Sequence, residues 1–399
     1  MTLPTDPSQP VTIRRTLLLA GLFVLLAIWA VVFRWTGEGD SGMHYMNLRE
    51  SAEQPHYALF PWARPGWVVL LIWPAMLGLT AAKIASAGFT IALCWQTMRL
   101  ADDLRLPRAT LAGFLVIVQP LVFYLATDTM TELPFALFLV IAIRLWLHGR
   151  VLWSMAIVGY LPLVRPEGFF FGLVFGVLAL LAPMLPRLPG TCATFARWTL
   201  PKRLVATLIM LHGIIAWTLA CWILSPNHQP LYWIYSWSWT PDSSELYGRG
   251  SIFHHVIMWP YYCGPVLLVL FLAGIRRSIQ TPGMWLVWTA WLTVFLTHTV
   301  LWWGGWFGAL GLMRIQTTTA FATALVCLCG WNAIRDRWGT AMRASYRRVA
   351  AGATIALLGI VPLLYYTMNP ESWHFVNNRS ATRFFRENRS EEHTSELQS

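Results

Sequence analysis

The chain has 399 residues, of which 56% are hydrophobic and only 12% charged, with a mean hydropathy of +0.52. A soluble globular chain is about 25% charged, so this composition excludes an ordinary soluble domain and points to a protein embedded in lipid. The net charge of +11 does not argue for nucleic acid as a partner, because the basic residues are scattered in short stretches between apolar runs, where cytoplasmic loops collect them.

Apolar runs recur along the whole chain, and runs of about 17–25 residues can cross the ~30 Å hydrocarbon core as helices. Lipid offers no partner for open backbone groups, so these runs predict helices rather than strands. In chain order, spans are expected at about 16–33, 84–99, 109–126, 132–147, 151–164, 168–186, 204–224, 256–274, 283–301, 317–333 and 349–366. The expected fold class is therefore an all-α polytopic membrane protein with about eleven transmembrane helices. Residues 16–33 follow Arg14-Arg15 and lack a small-residue cleavage site, which reads as a signal anchor.

With the N-terminus inside, eighteen Lys and Arg fall in cytoplasmic segments and seven in outer ones before the C-terminal tail, the bias expected of that orientation. Trp67–Thr80 is too short to cross untilted and reads as an outer interfacial or re-entrant helix. Residues 1–366 form the expected membrane domain, and 367–388 begin a non-cytoplasmic segment. The last eleven residues, Arg389–Ser399, read RSEEHTSELQS. They match the in-frame translation of a common sequencing adapter and are set aside as an artefact, the natural chain being expected to continue past Asn388.

The six cysteines lie mostly in apolar runs without metal-ligand spacing and read as small core residues. Nine acids sort to the outer side, and the polar residues that could carry chemistry gather there with them. The first outer loop holds Glu38-Gly39-Asp40, two carboxylates among glycines that can take a proton, bind a cation or hold hydroxyls; an ordinary polar turn explains them as well. Asp128 and Glu132 flank a short loop, where an acid in the first helical turn also suits the dipole. Arg165-Pro166-Glu167-Gly168 is the tip of a predicted hairpin, and charges between apolar stretches are either paired or functional. Trp233, Trp237 and Trp239 suit stacking on sugar faces, although interfacial aromatic belts use the same residues. Arg249 and Arg314 suit phosphate. His254 and His255 are adjacent and diverge on a helix, which weakens them as a metal pair.

Together these features resemble the C-type (GT-C) membrane glycosyltransferases, which use polyprenyl-phosphate sugars. Glu38-Gly39-Asp40 matches that superfamily's E-x-D form of the acidic first-loop motif. His56-Tyr57-Ala58-Leu59-Phe60-Pro61-Trp62 is similar to an aromatic-Pro segment of its mannosyltransferase branch. Thr131-Glu132-Leu133-Pro134 and Arg165-Pro166-Glu167-Gly168 are similar to segments of bacterial members.

The resemblance implies transfer of mannose or another hexose from a polyprenyl-phosphate donor to a lipid, glycan or protein acceptor. The reaction would run on the non-cytoplasmic face of a bacterial inner membrane. It also implies Asp40 as catalytic base with Glu38 as its partner. Asp128, Glu132, Arg165, Glu167, Arg249, His255, Arg314 and Trp237 are then the candidate substrate-binding residues. A divalent metal is compatible with the motif but not required. The rival reading is a lipid or glycan transporter, which predicts an internal repeat and midplane charges; neither is evident.

Overall fold

A computed structural model describes residues 9–33, 39–181, 198–235, 244–338 and 352. Over these residues the protein is helical, with no strand. The first membrane helix, α1 (Gln9–Val32), is followed by a helix where a glycine-rich loop was expected: α2 (Gly39–Glu53) starts at the acidic motif and puts Asp40 in its first turn. A carboxylate there faces the positive end of the helix dipole. A 3₁₀ turn (Pro55–Leu59) leads to the short apolar α3 (Pro65–Met76).

The bundle continues with α4 (Leu79–Asp103), α5 (Ala109–Ile117), α6 (Pro120–Leu125), α7 (Glu132–Leu147), α8 (Val151–Val164) and α9 (Glu167–Leu181). Beyond it lie α10 (Leu200–Ile209), α11 (His212–Leu224), α12 (His254–Cys263), α13 (Pro265–Gln280), α14 (Met284–Gly304) and α15 (Ala320–Trp338).

Not all of the eleven expected spans are continuous helices of membrane-crossing length. Among the described residues three helices are long and apolar enough to cross a membrane, or up to five if each bent pair counts as one span. Local chemistry explains the difference. The run 109–126 breaks because Pro120 supplies no N–H and holds Gln119 extended, at φ −67° and ψ 126°. The run 256–274 turns by 115° between α12 and α13, where Gly264 takes φ +75° just before Pro265, a conformation open to glycine. The run 204–224 bends by 42° between α10 and α11. The expected span at 349–366 lies outside the described residues.

Apolar side chains point both ways. Leu100, Val116, Phe135, Leu139, Val158, Phe321 and Leu325 fill a continuous core, while Val24, Ile28, Leu173, Ile215, Ile223 and Leu272 face outward. An outward apolar belt suits lipid as the surrounding medium. Inside the core, α13 crosses α15 at Gly274 and Gly330. A methyl group built on Gly274 would lie 1.9 Å from the Val326 carbonyl oxygen, and one on Gly330 would lie 1.8 Å from that of Leu270.

Charge is sorted to the two ends of this bundle. At one end Arg15 pairs with Asp102 at 2.5 Å, Arg144 with Asp103 at 2.6 Å and Arg277 with Asp336 at 2.7 Å. The start of α2, the start of α7, the α8–α9 turn and the segment after α14 meet at the other end, and the cavity described next opens among them.

Candidate functional site

Three hydrogen bonds hold together the elements around the site. Ser41 Oγ accepts the backbone N–H of Thr129 at 2.9 Å, and Thr129 Oγ1 donates back to the Ser41 carbonyl at 2.5 Å. These bonds pin the start of α2 to the loop before α7, bringing Asp40 toward Glu132. Tyr160 donates to the Gly66 carbonyl at 2.6 Å, which holds the start of α3 against α8.

Between these elements lies a cavity of about 750 Å³ lined by Asp40, His44, Trp62, Arg64, Glu132, Arg165, Glu167, Trp233, His298 and Arg314, among others. Its remaining wall is apolar and includes Phe169, Phe170, Leu301, Phe307 and Leu310. A pocket of this size, mostly apolar with a few convergent charges, has the build of a small-molecule site.

The charges form one network. Arg165 meets Glu167 through two bonds, Nε to Oε2 at 3.1 Å and Nη2 to Oε1 at 2.8 Å. Its Nη1 donates to Thr131 Oγ1 at 2.9 Å and lies 2.8 Å from Glu132 Oε1. His298 of α14 reaches the same Glu167 carboxylate at 3.1 Å. Arg314 bridges Asp40 and Glu132, bonding to Asp40 Oδ2 and standing 3.4 Å from Glu132 Oε1. The two acids differ in access: the Asp40 side chain is 42% exposed, the Glu132 side chain 0%. Only Asp40 of this pair can meet a substrate directly.

His44 stacks on Trp62 with centroids 4.5 Å apart. Burial, followed by the charges of Arg64, Arg165 and Arg314, pushes the His44 imidazole well below its usual range, because each of these effects disfavours a second positive charge. Burial and then Arg165 lower Arg64 to about 10, so it stays cationic at neutral pH. Burial also works against the Arg165 charge, but Glu132 and Glu167 outweigh it and hold that guanidinium above its usual range.

Of the residues singled out from sequence, Asp40, Glu132, Arg165, Glu167 and Arg314 converge on this cavity. Three others do not line it. Asp128 is buried near Lys83, whose charge it supports. Arg249 is exposed beside the segment that bonds to the Trp302 carbonyl through Gly250. His255 is buried against His254 and Phe295. None of the three faces the cavity. Glu38 and Trp237 lie outside the described residues. Trp62 comes from the aromatic-Pro segment noted in the sequence, whereas His44, Arg64 and His298 were missed, although the i, i+4 spacing of Asp40 and His44 on one helix face was available as a signal.

Among the described residues, no group of three or more His, Cys, Asp or Glu side chains is arranged to hold a metal ion. No family model, curated protein or solved structure matches the chain.

Proposed function

We propose that the cavity is the active site of a membrane glycosyltransferase of the GT-C type. In this reading it transfers a hexose, such as mannose, from a polyprenyl-phosphate donor to a lipid, glycan or protein acceptor. The observation that carries the reading is the accessible carboxylate of Asp40 facing a cavity that also holds three guanidinium groups, Arg64, Arg165 and Arg314.

An acceptor hydroxyl would attack the anomeric carbon from the side opposite the phosphate. As the new C–O bond forms, the bond from that carbon to the phosphate oxygen breaks, and the leaving phosphate keeps the electron pair. Asp40 accepts the hydroxyl proton. Arginine charge near the leaving oxygen stabilises what develops there. Glu132, beside Arg165 and Arg314, and Glu167, paired with Arg165, help to keep those guanidiniums in place.

Helix α4, the broken run α5–α6, and α7, α8 and α9 are proposed to cross as well, as broken or tilted segments where they are short, and with the expected span at 349–366 they complete the eleven-span arrangement. The cavity then opens on the non-cytoplasmic face of a bacterial inner membrane. The test is incubation of purified protein with radiolabelled polyprenyl-phosphate-mannose and a membrane lipid extract. Label transferred by the wild type but not by Asp40→Asn supports the reading. Absence of transfer to any component, with intact donor recovered, would reject it.

A further inference from the structure

A second, separate groove runs along the outside of the bundle. Gly168, Gly172 and Gly176 of α9 form one wall, and Thr207, Leu211 and Ile214 form the other. The packing of the helices creates it: α10 lies against α9, while past the 42° bend α11 lies against α8. A methyl built on Gly213 would stand 2.0 Å from the Gly159 carbonyl oxygen, whereas one on Gly172 would meet nothing within 4 Å. The helices are therefore pressed together on the α8 side and open on the α9 side. Leu173 and Val177 are exposed along the rim. Thr207 spends its hydroxyl on the Arg203 carbonyl at 3.0 Å, so the groove presents an apolar surface.

Its two ends differ. One adjoins the cavity at Phe169, which lines both. The other, at Leu180, is basic: Arg203 donates to the Leu180 carbonyl at 2.6 Å, and exposed Lys202 precedes it in the chain. Both bases sit in the first turn of α10, which carries no acid. The helix dipole opposes positive charge there and favours a negative group. From Gly168 to Leu180 the groove is about 18 Å long at the rise of an α-helix, close to one leaflet of a ~30 Å hydrocarbon core. At about 260 Å³ it is too narrow for a second helix, about 10–12 Å across, and suits a single hydrocarbon chain.

We infer that this groove is a structural site for an anionic phospholipid of the bilayer, with one acyl chain along Gly172 and the headgroup at Lys202 and Arg203. The headgroup lies at the end of α9 away from the acidic motifs, so this lipid is not a substrate of the cavity. The inference needs the bundle to sit in a bilayer, but neither sugar transfer nor a particular orientation.

The experiment titrates the purified, delipidated full chain in detergent with phosphatidylglycerol and with phosphatidylcholine of identical acyl chains, counting bound lipids by native mass spectrometry. One phosphatidylglycerol should bind at least about tenfold more tightly than phosphatidylcholine, in keeping with two bases near an anionic headgroup. Changing Lys202 and Arg203 together to Gln should remove that preference. Gly172→Leu should abolish tight binding of either lipid, because the leucine occupies the groove. Position 172 has free space around it and leucine is the better helix former, so this variant should keep the wild-type unfolding midpoint in lipid-free detergent. Equal wild-type affinity for the two lipids overturns the proposal, and that arm needs no variant to fold. Tight phosphatidylglycerol binding retained by Gly172→Leu overturns it too. A wild type that binds no phospholipid but forms a dimer dispersed by Gly172→Leu would assign the groove to a second copy instead. None of these measurements involves sugar transfer, so their outcome is distinct from that of the transfer assay.

Discussion

Asp40 and Arg314 stand 274 positions apart in the chain and form an ion pair across the mouth of the cavity. The pair joins the start of α2, after the first membrane helix, to the segment before the last described one. Arg314 therefore holds Asp40 in place, and under the proposed function a substrate would have to compete with the carboxylate for that guanidinium.

Asp40→Asn keeps the shape of the side chain and removes its proton affinity. General-base catalysis contributes about 10²–10⁴-fold, so sugar transfer should fall by at least about a hundredfold while the variant still inserts and purifies normally. Arg314→Gln should instead raise the apparent KM for donor and free the Asp40 carboxylate. Initial-rate kinetics on both variants separate the effects; wild-type turnover in Asp40→Asn removes Asp40 from the mechanism.

Glu132 has the opposite character, being fully buried and shared by Arg165 and Arg314. Removing one partner of a buried ion pair leaves an uncompensated charge and typically costs about 3–5 kcal/mol. Glu132→Ala is expected to lower the thermal unfolding midpoint strongly and to reduce the yield of folded protein, with Glu132→Gln milder. A Glu132→Ala variant that unfolds at the wild-type temperature would show that the network does not hold the α7 end in place.

Much of this site was legible in the sequence, for a physical reason. Charges flanked by apolar runs are costly in lipid, so Glu132, Arg165, Glu167 and Arg314 stood out by contrast with their surroundings. Asp40 stood out through its motif. Arg64 and His44 did not, because each sits in a polar, aromatic-rich stretch where its type is unremarkable. Their value comes from α2 and α3 folding back over the cavity. The helices were legible as apolar runs, whereas the breaks at Gln119-Pro120 and Gly264-Pro265 depend on local backbone preferences that a hydropathy reading averages away. Asp128 and His255 are buried polar residues that do not line the cavity.

The orientation can be read by cysteine labelling. Gln229 and Arg337 are both exposed, and the topology puts them on opposite sides, Gln229 outside and Arg337 in the cytoplasm. The native cysteines at 94, 221, 263, 327 and 329 are buried, so a Cys192→Ser background carrying Gln229→Cys or Arg337→Cys should label cleanly. An impermeant maleimide added to intact cells should modify position 229 alone, and modification of 337 instead would invert the arrangement.

His44 supplies a pH signature. Folding holds its pKa well below the usual 6.5, so the unfolded chain takes up the proton first. The stability this contributes is fully present above about pH 6.5 and is lost as pH falls below that, at up to about 1.4 kcal/mol per pH unit. Thermal unfolding of the detergent-solubilised protein should therefore show a lower midpoint at pH 5 than at pH 7.5. His44→Gln should reduce that difference, and an unchanged difference would mean that other groups cause it.

The crossing of α13 and α15 gives the sharpest structural test. Small residues let membrane helices approach closely where there is little hydrophobic drive to hold them together. Gly274 and Gly330 each face the other helix's backbone, at Val326 and Leu270 respectively. A carbonyl oxygen cannot rotate away as a long side chain can, so an added methyl has to separate the helices. Overpacking of this kind typically costs about 1–3 kcal/mol. Gly274→Ala and Gly330→Ala should each lower the unfolding midpoint measurably. The double variant should cost less than the sum of the two, because one separation relieves both clashes. Gly172→Ala on α9 is the control, since a methyl there meets nothing within 4 Å and alanine is the better helix former. Equal destabilisation by all three substitutions would mean that loss of glycine as such, rather than the close crossing, sets the cost.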